Sequence, residues 1–218
     1  DALNRPTRTT YPDSTYEATT YARLDVVQQR DRLGRVTVQA IDALGRVIAT
    51  RDPAGRVIQQ TYTPLQDQLI DAKGQATTWT RDVLGRVTTE TRADGVTATT
   101  YTYQPLSGRL ATVTDPKAQV TTYAYGLDDA LESLAFTNAT IATPGVSYAY
   151  DPVYARVLTM TDGTGVTAYT YHPAGQLGAG QVASVDGPLS NDTITYAYDS
   201  VGRVATRSIN SVPLTLGY

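Results

Sequence analysis

Cysteine is absent from the 218 residues, which removes disulfides, thiolate nucleophiles and cysteine-ligated metal sites together. Histidine, phenylalanine, tryptophan and methionine occur once each. The lone histidine, His172, has no Ser or second His in a motif-like setting, so a general base or metal centre finds no companions. It stands before Pro173, where other repeats carry Asp, and reads as a turn residue. No apolar run approaches the length of a membrane span. Charged residues make up 18% and sum to −3, with Lys and Arg scattered singly. That offers no electrostatic attraction to nucleic acid or an anionic membrane. A Walker loop, a dinucleotide fingerprint and zinc spacings are all missing. The expectation is a chain with no cofactor, no metal and no enzyme activity.

Tyrosine and glycine are plentiful instead, at 16 and 17 residues, alongside many Thr, Val and Ala. Branched and aromatic side chains suit a pleated, half-buried surface. A Tyr-x-Tyr pair followed by a turn recurs five times: Tyr101 and Tyr103, Tyr123 and Tyr125, Tyr148 and Tyr150, Tyr169 and Tyr171, Tyr196 and Tyr198. The pairs start 22, 25, 21 and 27 residues apart, a spacing typical of repeat architectures. Within a pair the two rings share one face of a strand.

Two kinds of turn separate these runs. One reads Asp-x-x-Gly-Arg-Val, at Asp31–Val36, Asp42–Val47, Asp52–Val57, Asp82–Val87 and Asp199–Val204, with a looser copy at Asp71–Gln75. An Asp side chain accepts from backbone N–H groups further along the turn, and Gly adopts a positive φ without steric cost. Pro after Asp, at Asp52-Pro53, Asp115-Pro116 and Asp151-Pro152, suits the second position of a type I turn. The other kind is the dipeptide of two-residue hairpin loops, at Asp94-Gly95, Asp162-Gly163 and Asp186-Gly187. Gly34, Gly45 and Gly55 lie 11 and 10 residues apart, as do Gly74, Gly85 and Gly95, which leaves room for one strand and its turn. Period-two alternation, as in Val96–Tyr101, and no helical period of useful length predict an all-β chain of consecutive antiparallel hairpins, about twenty strands forming one repetitive segment over residues 1–218. Irregular insertions are expected near 127–143, as one helical turn or a longer loop, and near 175–190. Asp1–Arg5 matches the turn Asp42–Arg46 with Asn4 in the place of Gly, and Tyr218 falls at a strand end. Both ends thus sit in mid-repeat, as expected of a fragment of a longer protein.

The Asp residues open turns, and adjacent Asp128 and Asp129 are read the same way although paired carboxylates can do acid/base work. Arg35, Arg46, Arg56, Arg86, Arg109, Arg156 and Arg203 are expected to stack in ladders with carboxylates and rings, or to line a cavity. The ten paired tyrosines either fill space between cross-strand neighbours or face a ligand or cargo, since aromatic rows stack on sugars and attract cations. Two glycosylation sequons, at Asn138 and Asn191, are near chance in so Thr-rich a chain.

In aggregate, Asp-x-x-Gly-Arg-Val, Tyr-Asp and Asp-Pro-x-Gly resemble the motifs of the Rhs/YD-repeat family, over nearly the whole chain. Members of that family build a β-sheet that spirals into a hollow shell, and in bacterial members the shell encloses a toxic C-terminal domain. The resemblance implies a curved, spiralling sheet of YD repeats, part of a hollow β-shell, acting as a structural, non-catalytic wall that encapsulates a toxin or effector before delivery. Implied partners are the rest of the shell, an enclosed C-terminal toxin domain and a secretion or toxin-complex component, without nucleic acid or membrane insertion. The implied setting is a bacterial secretion or toxin-complex system. The family's self-cleaving motif, Arg-Tyr-Tyr-Asp-Pro followed by Gly-Arg-Phe, has no match here; Tyr150-Asp151-Pro152 and Tyr198-Asp199 read as ordinary repeats. The competing reading, from another class, is a cell-surface carbohydrate-binding or adhesive module using exposed Tyr rows.

Overall fold

The computed structural model describes residues 1–94 and 98–218. Gly95 of the Asp94-Gly95 turn, and Val96 and Thr97 of the Val96–Tyr101 run, lie outside the described residues. Twenty strands and no helix occur among the described residues, and the pairing registers run antiparallel between neighbours in sequence. The chain divides into two units, Asp1–Tyr101 and Thr102–Tyr218.

The first unit contains β1 (Arg8–Thr10), β2 (Tyr16–Ala22), β3 (Asp25–Arg30), β4 (Val36–Ile41), β5 (Val47–Arg51), β6 (Val57–Tyr62), β7 (Gln66–Ile70), β8 (Ala76–Arg81) and β9 (Val87–Thr91). Strand β10 (Ala98–Tyr103) begins in this unit, where Ala98 to Thr100 pair with Thr91 to Thr89. The second unit continues with β11 (Leu110–Thr114), β12 (Val120–Tyr125), β13 (Leu131–Thr137), β14 (Val146–Tyr150), β15 (Val157–Asp162), β16 (Gly165–Tyr171), β17 (Val182–Asp186), β18 (Ile194–Tyr198), β19 (Val204–Ile209) and β20 (Val212–Thr215).

A register shift recurs where an even strand meets the next odd one. Opposite Tyr150 the partner steps from Thr159 to Val157, leaving Leu158 as an extra residue. The same β-bulge falls at Val27, Ile48, Thr88, Glu132, Ala183 and Ala205. A bulge of this kind bends its strand and re-aims the side chains beside it.

Where the sequence suggests a helical turn or longer loop at 127–143, the structure places a turn at 126–130, the seven-residue strand β13 and a connection at 138–145. The alternation of Leu131, Ser133 and Leu134 with exposed Glu132 and Ala135 already belongs to a bulged strand. Asp186-Gly187 opens a connection that runs to Thr193, not a two-residue loop, and the tight loop of the β15–β16 hairpin is Gly163-Thr164, one residue beyond the predicted pair. A true two-residue loop joins β19 to β20, where Asn210 and Ser211 both have positive φ, 48° and 67°, as a type I′ turn requires.

No hydrophobic residue is buried among the described residues; only Gly178 is. Each unit is therefore a single layer of strands without a core of its own. Its two rims differ. In the first unit the connections after even strands carry exposed Leu24, Leu44, Leu65 and Leu84; in the second they carry Leu106, Leu127, Val153, Leu177 and Val201. Connections after odd strands are tipped mainly by polar or turn residues such as Pro53, Lys73, Lys117 and Asn210, with Leu33, Ile141 and Leu189 as exposed apolar exceptions.

Candidate functional site

The unit from which the molecule is built can be read at Asp42. Its backbone N–H donates to the Arg46 carbonyl at 2.9 Å, and the Gly45 N–H donates to the Asp42 carbonyl at 3.1 Å. Asp42 Oδ1 accepts from the N–H groups of Leu44 and Arg46, and Oδ2 accepts from Arg46 Nε. The Asp thus closes the turn and fixes the Arg in one step. The same bonds form at Asp1–Arg5, Asp31–Arg35, Asp52–Arg56, Asp82–Arg86 and Asp199–Arg203. Asp151 holds Arg156 across one extra residue. These bonds favour the ionised carboxylate. The guanidinium of the following Arg is the main cause that holds Asp31, Asp52 and Asp82 below the ordinary carboxylate value. For Asp42 and Asp199 the chief cause is the Arg backbone N–H, and for Asp151 it is the Val153 N–H.

The pinned guanidinium then covers a tyrosine two strands further on. Arg46 lies 4.5 Å from the Tyr62 ring centre, Arg109 5.0 Å from Tyr125, Arg156 4.3 Å from Tyr171 and Arg203 4.4 Å from Tyr218. Arg5 does the same to Tyr21 at 4.0 Å. The tyrosine hydroxyl donates back to the carbonyl just after the Arg: Tyr21 to Pro6, Tyr62 to Val47, Tyr171 to Val157 and Tyr218 to Val204. At Arg46–Tyr62 and Arg156–Tyr171 the stack therefore ties a turn, the start of an odd strand and the end of the next even strand. Arg35 and Arg56 hold their carboxylates without a tyrosine ring in stacking range among the described residues.

All ten paired tyrosines are half-buried, and the residue between each pair is exposed, so both rings of a pair share the more covered face. The first tyrosines oppose cross-strand neighbours: Tyr123 faces Leu134, Tyr148 Met160, Tyr169 Val185 and Tyr196 Arg207. Of the second tyrosines, Tyr150 and Tyr198 keep the hydroxyl bond, to the carbonyls of Leu131 and Val182, although their preceding turns carry Ala130 and Gln181 in the place of Arg. Tyr101 and Tyr103 lie on β10. His172 contacts the Tyr196 carbonyl through Nε2 at 2.9 Å and meets Tyr198 edge-on at 5.5 Å. Asp129 takes the positive-φ place of the turn Gly (φ 67°) and pairs with Arg109 at 2.7 Å. Among the described residues no group of three or more His, Asp or Glu side chains converges as a metal site would require.

Residues 65–97 match the family model described as RHS Repeat, a stretch that holds the turns Asp71–Gln75 and Asp82–Arg86. That stretch of the chain is similar to an Rhs repeat. Among solved structures, the TcdB2-TccC3 crystal structure without its hypervariable C-terminal region is 12% identical, with 97% of this chain and 16% of that chain covered and a TM-score of 0.41. The Photorhabdus luminescens Tc holotoxin pore is 13% identical over 98% of this chain and 16% of that one, with a TM-score of 0.43. A porin-like protein from Bacteroides uniformis ATCC 8492 is 14% identical over 93% of this chain and 90% of that one, with a TM-score of 0.35. This chain thus spans 16% of the Tc toxin chains it resembles. No curated protein matches it.

The tyrosines Tyr21, Tyr62 and Tyr218 belong to the repeating stack but stand outside any Tyr-x-Tyr pair. A sequence signal for them exists. Arg and stacked Tyr are 16 residues apart at Arg5–Tyr21, Arg46–Tyr62 and Arg109–Tyr125, and 15 apart at Arg156–Tyr171 and Arg203–Tyr218.

Proposed function

We propose that this Rhs-repeat chain is a structural, non-catalytic wall segment of an Rhs-type shell that encloses a toxin or effector domain until delivery. The observation that carries this reading is a one-layer sheet of like hairpins in which no hydrophobic residue is buried among the described residues. A globular enzyme concentrates its chemistry on a rigid core; here the recurring polar groups are consumed by the turns and stacks they build. A hydrated layer of that kind suits a boundary between two aqueous spaces. Its apolar-tipped rim supports contact with further hairpin strip, because a long exposed sheet is otherwise an aggregation hazard.

On this reading residues 1–218 form one repetitive segment of a curved, spiralling wall. Its partners are the rest of the shell and the enclosed domain, within a bacterial secretion or toxin-complex system. The test is an electron cryo-microscopy map of the full-length protein with this segment traced. The expected result is a curved sheet lining a hollow with density inside. A solvent-bathed sheet with no enclosed space would overturn the reading, the more so if the protein bound glycans and lost them on Tyr→Ala substitution of the paired rings.

A further inference from the structure

One repeat of the second unit keeps the anionic half of the Asp–Arg–Tyr stack and lacks the cationic half. The turn at Gly126–Ala130 has the ordinary backbone: Gly126 N–H donates to the Ala130 carbonyl and Asp129 N–H to the Gly126 carbonyl. Gly126 stands where sister turns have Asp, and Ala130 where they have Arg. The tyrosine due to be covered is Tyr150, whose hydroxyl makes the usual bond, to the Leu131 carbonyl at 2.8 Å. Among the described residues no guanidinium lies over its ring.

The missing carboxylate has nevertheless been replaced. A Cβ built at Gly126 would meet Asp128 Oδ1 at 2.9 Å and Glu132 Oε1 at 3.0 Å. Glu132 is the bulge residue of β13, and none of the other six bulge residues is ionisable. Neither Asp128 nor Glu132 forms an ion pair among the described residues. Arg109 is held by Asp129 and the Gly126 carbonyl and lies over Tyr125, and Arg156 is held by Asp151 and lies over Tyr171. The two carboxylates also act on the ring: burial first, then Tyr148, Asp128 and Glu132, raise Tyr150 above the ordinary phenol value.

Space remains for a cation. The concavity beside Tyr62, with Arg46 in its lining, measures about 390 Å³. The corresponding one bounded by Asp128, Ala130, Glu132, Tyr148 and Tyr150 measures about 610 Å³. At Tyr198, whose preceding turn carries Gln181 in the place of Arg, the gap is closed, since Gly178 packs so tightly on the ring that an added Cβ would lie 2.3 Å from it.

We infer that the concavity at Tyr148 and Tyr150 binds an organic cation of the guanidinium class, an arginine side chain of a partner polypeptide, with Asp128 and Glu132 as its counter-charges. Acidic residues alone would not make a site. What identifies the ligand is the five sister rings, each carrying a guanidinium 4.0 to 5.0 Å from its centre. A guanidinium stacked on a ring with carboxylates beside it gains from both contacts at once.

The experiment titrates the full chain, with ring-labelled tyrosine observed by NMR, using Nα-acetylarginine amide as the probe and its citrulline analogue as the neutral isostere. Saturable shifts at Tyr148 and Tyr150 are expected, with the citrulline compound at least tenfold weaker. Glu132→Gln should weaken binding several-fold. Ala130→Arg, which restores the repeat and carries its own guanidinium into the gap, should abolish binding and raise the thermal midpoint of the chain. Equal binding of citrulline, shifts spread over the stacked tyrosines, or undiminished binding by Ala130→Arg would each overturn the assignment. Because the readout is local, it is independent of whether the shell encloses a toxin.

Discussion

At the scale of the residue, the turn aspartate does more than punctuate the chain. One carboxylate accepts two backbone N–H groups through Oδ1 and a guanidinium through Oδ2, so ionisation, turn geometry and Arg orientation are coupled. Asp31, Asp42, Asp52, Asp82, Asp151 and Asp199 all lie below the ordinary value of 3.8. A depressed native pKa means that the unfolded chain binds protons more readily in acid, so the contribution is complete above 3.8 and is lost as pH falls through the native values. Thermal melts followed by circular dichroism should therefore show a midpoint that drops on the acid side. Asp42→Asn should melt lower at neutral pH, and its deficit should shrink as the pH falls below 3.8; a deficit independent of pH would rule out this coupling. Glycine makes a separate contribution. Gly85 has φ +80° with nothing within 4 Å of an added Cβ, so Gly85→Ala tests backbone conformation alone. It should destabilise by about 1–2 kcal/mol in urea unfolding, and Gly85→Asn by less.

At the scale of the element, the hairpin is held by contacts that skip a strand. Tyr171 donates to Val157 across β15 and β16 while Arg156 covers its ring. Tyr171→Phe keeps the stack and leaves the carbonyl without its donor, so a loss of about 1 kcal/mol is expected in denaturant melts. The loop at 172–181 is held differently. Gly178 and Gly180 have φ +74° and +77°, but only Gly178 packs on a ring, while a Cβ at Gly180 meets nothing within 4 Å. Gly178→Ala should therefore cost about 1–3 kcal/mol more than Gly180→Ala, with the Tyr198 ring resonances displaced only in the former. Most of the hairpins were legible in sequence. The Asp, Gly and Arg of each turn act within five residues of one another, and strand alternation has a period of two. The Asp–Arg pairing was legible for the same reason. Which tyrosine each Arg covers was harder to read, because an Arg at position 46 and a Tyr at position 62 meet only after a strand reversal and a bulge have set the register. The gap at Tyr150 was hidden further, since it consists of an absent side chain whose counter-charges come from a neighbouring position.

At the scale of the whole molecule, stability without a core implies a particular mode of failure. Each strand pairs with its neighbours in sequence, and no hydrophobic residue is buried anywhere among the described residues. Free energy in such a chain is close to a sum of repeat terms and nearest-neighbour interfaces, as in other repeat proteins. Damage should then spread along the strip rather than through a common interior. Thr78 offers a test. It lies within β8, opposite Gln68 on one side and Thr91 on the other, and proline there removes a ladder donor and cannot adopt central-strand pairing. Hydrogen exchange of the Thr78→Pro chain should show lost protection in β7, β8 and β9. Protection in β14 to β19 of the second unit should stay within twofold of the parent chain. A globular domain of the same length would lose protection throughout, because its elements share one core. Uniform loss across both units would mean that hidden long-range cooperativity, and not neighbour pairing, holds the molecule together. Confined loss would fit a wall built so that a local defect leaves the remaining hairpins standing.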